Sequence, residues 1–113
     1  MTLIIISSPP SLDLEPIELV LALAAFEQKP TLLLTGKGLH YMHTLQQEKR
    51  SNGKSPSKVV SVLPMYDCEK VFVRTSCLSE QGLCEEDLHD FCRLISDDEI
   101  KQLINLSKHC VNF

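Results

Sequence analysis

The sequence predicts an α/β fold: one three-layer domain over residues 1–113, with a mainly parallel five-stranded sheet flanked by helices. Three observations predict it. Short β-branched or leucine-rich runs alternate with stretches of helical character, and parallel neighbours need such crossover connections. Proline and glycine fall between these runs, at Pro9-Pro10, Pro30, Gly36 and Gly82. The length of 113 residues suffices for one core and not two, with 43% hydrophobic and 23% charged residues, an ordinary globular mixture.

The elements follow in order. Thr2 to Ser7 is a β-branched run closed by Ser-Ser-Pro-Pro and reads as a buried first strand. Pro16 occupies a first helical turn, where its missing N–H costs nothing, and IELVLALAAFEQ continues the helix. Ile17, Val20, Leu21 and Ala24 form one stripe, while Leu19, Leu23 and Phe26 fill much of the other side. A helix apolar nearly all round needs cover on more than one face, which in a small domain suggests another subunit. Thr31 to Thr35 reads as the second strand, closed by Gly36-Lys37-Gly38, and Leu39 to Gln47 as a short helix. Residues 46–58, QQEKRSNGKSPSK, are polar and rich in turn formers and read as a solvated surface loop; its Lys49, Arg50, Lys54 and Lys58 leave open a contact with tRNA or an acidic partner. The stretch from Lys58 to Tyr66 is ambiguous between strand and turn.

Lys70 to Arg74 reads as the third strand, Ser76 to Gln81 as a helix stopped by Gly82, and CEEDLHD as an acidic connector. Phe91 to Ile95 gives a fourth strand. Ser96 and Glu99 form a capping box, with Ile100, Leu103, Ile104 and Ser107 as the core face of the last helix. His109 to Phe113 is the fifth strand. In such sheets chemistry gathers at the carboxyl ends of the strands. Those ends are Ser7–Pro10, Thr35–Gly38, Arg74–Cys77 and Ile95–Asp97.

Charge and hydropathy exclude several function classes. A net charge of -4 supplies no basic face for gripping nucleic acid directly. The apolar run Leu3–Ile6 lacks a basic n-region, and Leu19–Phe26 is far too short to span a bilayer, so a soluble cytoplasmic protein is expected. Five cysteines, Cys68, Cys77, Cys84, Cys92 and Cys110, are then thiols rather than a disulfide frame, with Cys68 and Cys110 reading as core filler.

No constellation of an independent enzyme is present. Gly36-x-Gly38 lacks the third glycine and the Lys-Ser/Thr pair of a phosphate cradle. Cys84, His89 and Cys92 lack the paired knuckles of a zinc site, and His40 with His43 reads as a polar surface pair. Neither metal nor cofactor is expected. Glu85, Glu86, Asp87 and Asp90 read as a solvated acidic face.

The stretch YDCEKVFVRTSCLSEQGL, Tyr66 to Leu83, resembles the signature of the TusC/DsrF branch of the DsrE/F-like sulfur-relay family: a tyrosine-aspartate turn, a short apolar strand, then a Ser-Leu-x-x-x-Gly-Leu helix. The strand-Pro-helix start, the Gly36–Leu39 turn and the short last strand ending in Phe113 extend the likeness over the chain. The resemblance implies a five-stranded DsrE/F-like domain. It also implies a heterohexamer with TusB-like and TusD-like sister subunits, exchanging sulfur with donor and acceptor proteins. In one branch the persulfide sulfur ends in the 2-thiouridine of the tRNA wobble position; in the other, DsrF-like subunits serve dissimilatory sulfur oxidation.

One departure from the family pattern bears on chemistry. The family's carrier cysteine, where present, lies just after the third strand, the position of Arg74 here, and an arginine cannot hold a persulfide. Cys77 stands where the family usually shows serine. The resemblance therefore implies a structural subunit, probed by two residues: Arg74 as a stabiliser of a thiolate or persulfide anion, and Cys77 as an alternative carrier. A thiol in a helix's first turn beside an arginine favours the thiolate; the simpler reading packs Cys77 as a serine-sized residue under that helix.

Overall fold

The computed structural model describes residues 2–8, 15–25, 30–42, 63 and 70–113. Five strands form one sheet: β1 (Thr2–Ile6), β2 (Thr31–Leu34), β3 (Val71–Arg74), β4 (Arg93–Ile95) and β5 (His109–Asn112). Their order is β4-β3-β2-β1-β5, and every neighbouring pair is parallel. Among the described residues the α-helices are α1 (Glu15–Ala25), α2 (Cys77–Glu80) and α3 (Asp97–Leu106).

This order explains the layers. From β1 to β4 the chain steps across the sheet in one direction, then doubles back to place β5 beyond β1. Crossovers between parallel strands are right-handed, so a reversed step puts its helix on the opposite face. The two hydrophobic clusters agree. Ile4, Ile6, Leu32, Leu34, Val71 and Val73 face α1, whose Ile17, Val20 and Ala24 are buried against them. Leu3, Leu33 and Ile95 face the other way, under Ile100 and Leu103 of α3. Among the described residues one face thus carries most of the core, and α3 covers the other.

On α1, Leu19, Leu21 and Leu23 are packed against the core from the sides and remain half-buried, while Glu18, Ala22 and Ala25 are exposed. Phe26 lies outside the described residues.

Several expectations need correction. The helix expected over Leu39–Gln47 is a 3₁₀ segment that begins earlier, at Gly36, and is described to Met42. Its start is fixed by close approach rather than by periodicity. A Cβ on Gly38 would lie 2.0 Å from the Ile6 carbonyl oxygen, so only glycine lets the segment cross the end of β1. The acidic connector contains a 3₁₀ turn, Glu85–Asp87, because the Asp87 carboxylate accepts the Cys84 N–H at 2.9 Å. β4 is shorter than the expected Phe91–Ile95, since the Cys92 N–H turns back to the His89 carbonyl.

The capping box forms as expected: Ser96 Oγ accepts the Glu99 N–H, and Glu99 Oε1 accepts the Ser96 N–H, each at 3.3 Å. Ile100 and Leu103 pack inward, but Ile104 is 44% exposed, because the α3 face turned to the sheet is narrower than the apolar stripe. Cys110 is likewise exposed rather than core, since β5 is an edge strand with all four residues exposed. The basic loop, the ambiguous stretch before β3 (Leu63 apart, which is buried) and Cys68 lie outside the described residues. No helix among the described residues is long and apolar enough to cross a membrane.

Candidate functional site

The segments ending β2 and β3 meet at one sulfur atom, and the end of β4 anchors the turn beside it. β3 ends at Arg74, and Thr75 and Ser76 turn the chain into α2, which opens with Cys77. The turn is anchored on the neighbouring strand: both the N–H and the hydroxyl of Thr75 donate to the Ile95 carbonyl, at 3.1 and 2.9 Å. Ser76 sits at the N-cap without a side-chain cap bond. At the other end, Gly82 closes α2 at φ +66°, a conformation that suits glycine.

Cys77 is only 2% exposed and belongs to the main core cluster. Its Sγ nevertheless has two polar neighbours. The Gly36 N–H, just past the end of β2, donates to it at 3.2 Å, and Gly36 itself adopts φ +51°. Arg74 Nη1 approaches it at 3.9 Å. The remaining guanidinium edge is occupied: Nε donates to Asp97 Oδ1 at 2.7 Å and Nη2 to Oδ2 at 3.0 Å. This bidentate pair lies at the surface, with side-chain exposures of 39% and 55%. The hydrogen bond from Arg74 holds the Asp97 carboxyl below the ordinary carboxylate range, and Asp97 in turn holds the Arg74 guanidinium firmly protonated.

The sequence-derived pair Arg74 and Cys77 is therefore brought together, with Arg74 locked by an acid and Cys77 covered. The arrangement fixes a cation beside a buried sulfur, and leaves that sulfur without direct access to a donor in this conformation. Sequence reasoning placed Gly36 and Asp97 in the strand-end segments where chemistry gathers, but missed their contacts with Cys77 and Arg74. Asp97 was legible in principle: parallel pairing sets Arg74 beside Ile95, so the first acid after β4 falls next to the arginine.

The other candidates lie elsewhere. His40 Nε2 lies 3.2 Å from Gln81 Oε1, which ties the 3₁₀ segment to the end of α2, whereas His43 is outside the described residues. His89 and Cys92 line a cavity of about 370 Å³ with Glu85, Glu86, Leu88, Asp90 and Leu94, and Cys84 is exposed and not part of it. Burial pushes the Cys92 thiol up to about 12 and the His89 imidazole down, while the His89 ring stacks on Phe91 with centroids 5.2 Å apart. Among the described residues no group of three or more His, Cys, Asp or Glu side chains is placed to hold a metal ion.

Comparison with known proteins places the chain in a family. A curated relative, a "Protein TusC homolog" of Vibrio parahaemolyticus serotype O3:K6 (strain RIMD 2210633), is 23% identical over 99 residues, covering 88% of this chain and 84% of that one. The crystal structure of the ychN protein from E. coli superposes with a TM-score of 0.81 at 18% identity, covering 99% of this chain and 97% of that one. A protein of unknown function from Methanobacterium thermoautotrophicum follows with a TM-score of 0.66 at 14% identity, covering 99% and 96%. The family model described as "DsrE/DsrF-like family" matches residues 1–113, and the chain belongs to that family.

Proposed function

We propose that the chain is a TusC-like subunit of a sulfur-relay complex that passes persulfide sulfur toward 2-thiolation of the tRNA wobble uridine, and that it serves as a structural subunit rather than a carrier. The observation that carries this reading is the covered thiol. Sulfane sulfur moves by attack of a thiolate on a donor's sulfur, which needs access as well as charge. Cys77 is 2% exposed, and the surface position at the end of β3 holds Arg74, already paired to Asp97. The name of the Vibrio relative supports the TusC-like assignment. On this reading the chain assembles with TusB-like and TusD-like sisters in the cytoplasm, and the TusD-like sister supplies the carrier thiol. Arg74 shapes the electrostatics beside it.

A second reading has one observation in its favour. The Gly36 N–H and Arg74 Nη1 both face Cys77 Sγ, the arrangement that would hold a thiolate or its persulfide once α2 lifts. One experiment separates the two: co-expression with both sisters, then tRNA thiolation with Cys77→Ser. The structural reading predicts an intact complex and thiolation within about twofold of the parent, well under the ~10-fold that each 1.4 kcal/mol would represent. Intact assembly with thiolation abolished would install Cys77 as the carrier.

A further inference from the structure

We propose that residues 76–82 swing out of the core as one unit and carry Cys77 to solvent, with Thr75 and Gly82 as hinges and the contact of His40 with Gln81 as the latch. The inference concerns a motion of this chain and rests on neither reading of the sulfur relay. A sulfur faced by the Gly36 N–H and Arg74 Nη1 is only 2% exposed, so its chemistry depends on what uncovers it. The cover is thin on the side of α2. Cys77 is the only buried residue of that helix; Leu78 is half-buried, and Ser79 and Glu80 are exposed. Segments that bury little apolar surface are the ones that open locally while the rest stays folded.

Both ends of the segment are fixed, and its interior is self-contained. At one end Thr75 donates twice to the Ile95 carbonyl; at the other, Leu83 belongs to the main core cluster. Between them the backbone hydrogen bonds close locally. The Leu78 N–H meets the Thr75 carbonyl, Gln81 meets Cys77, Gly82 meets Ser79 and Leu83 meets Leu78, at 2.9 to 3.2 Å. Most of these bonds travel with the segment, so opening does not unmake the turn. Gly82 stands at φ +66°, and a Cβ there would find nothing within 4 Å, which leaves its backbone room to rotate. A helix of one turn has little stability of its own, and Ser76 adds no side-chain cap.

Among the described residues, the segment is held shut from the facing 3₁₀ segment and the core. The Gly36 N–H reaches Cys77 Sγ at 3.2 Å, Leu78 packs against the core cluster, and His40 Nε2 lies 3.2 Å from Gln81 Oε1 across the seam. Arg74 stays behind, because Asp97 grips two of its guanidinium nitrogens from the far side. Opening therefore parts Cys77 from Gly36 and Arg74 and breaks the contact of His40 with Gln81, while β2, β3 and β4 remain paired.

The test uses the full chain, labelled with iodoacetamide at pH 8, with the Cys77 peptide followed by mass over time and urea unfolding measured in parallel. Cys77 should label more slowly than the exposed Cys84, at a rate that barely changes with urea below the unfolding transition, because a local opening exposes little surface. Gln81→Ala should raise the Cys77 rate about three- to tenfold, the range that one hydrogen bond's net contribution represents. Leu103→Ala, which loosens α3 on the opposite face of the sheet, should lower the urea midpoint yet leave the Cys77 rate within about twofold. Cys77 labelling confined to the unfolding transition overturns the proposal. So does a Cys77 rate that rises with Leu103→Ala in step with the lost stability, or one that Gln81→Ala leaves unchanged.

Discussion

Cys77 and Cys92 lie on the same side of the molecule, both against the main core cluster, and their surroundings are opposite. Cys77 follows β3, where strand ends deliver donors: a backbone N–H from Gly36 and a guanidinium from Arg74. Cys92 precedes β4, at the entry to a strand, where its neighbours are Glu85, Glu86 and Asp90. Burial, reinforced by the Asp90 charge, pushes its thiol up to about 12. Topology, before side-chain choice, decides which thiol of this fold meets N–H donors and which sits among carboxylates. Carboxyl ends of parallel strands, followed by turns and helix starts, gather N–H groups; the amino ends do not.

The harshest way to break the contrast is Gly38→Ala. Its Cβ would meet the Ile6 carbonyl oxygen, and backbone cannot give way as a side-chain tip can. We expect a loss of about 3 kcal/mol or more, visible as a lower urea midpoint, because the 3₁₀ segment that presents Gly36 must move. The contrast sharpens in thiol labelling at pH 8. Exposed Cys84 and Cys110 should react first, and Cys92 about a thousandfold more slowly than an ordinary thiol, since a group at about 12 is almost wholly protonated there. Peptide mapping of the label over time reads this directly, and fast labelling of Cys92 would refute the burial argument.

A smaller effect is expected from Cys77→Ser. Serine keeps an acceptor for the Gly36 N–H but brings a more polar group into the core, at a cost of about 1–2 kcal/mol in thermal or urea unfolding. Smallest is Asp97→Asn. Both partners of the pair are at the surface, so stability at pH 7 should change little. Its pH dependence has a definite sign. The folded carboxyl titrates below the ordinary value of about 3.9, so the stabilisation is present above that value and is lost as pH falls through the lower folded one. Melting curves of parent and variant should therefore differ most near neutrality and converge in acid.

How much of this was legible depended on whether a feature is local. The five strands, the α3 capping box and the Gly82 stop follow from residues within a few positions of one another, and each is found. The layered α/β class followed from alternation alone. What sequence did not disclose needs two distant segments at once. The 3₁₀ segment starts at Gly36 because Gly38 must clear Ile6, and the Arg74–Asp97 pair exists because β3 and β4 are parallel neighbours in a particular register. The misjudged exposures of Ile104 and Cys110 have the same origin: apolar periodicity says which face could be buried, not how much sheet is there to bury it. The juxtaposition of Arg74 and Cys77 was readable from spacing; the 2% exposure that decides between carrier and scaffold was not.

The central claim is that this subunit shapes a sulfur-relay complex without holding sulfur itself. Its most direct test is the mass of the Cys77 peptide from the assembled complex after exposure to a persulfide donor, with the sister subunits as the internal comparison. The account predicts an unmodified Cys77 peptide beside a sister peptide heavier by about 32 Da, the mass of one sulfur atom. The same increment on Cys77, lost with Cys77→Ser together with thiolation, would contradict it.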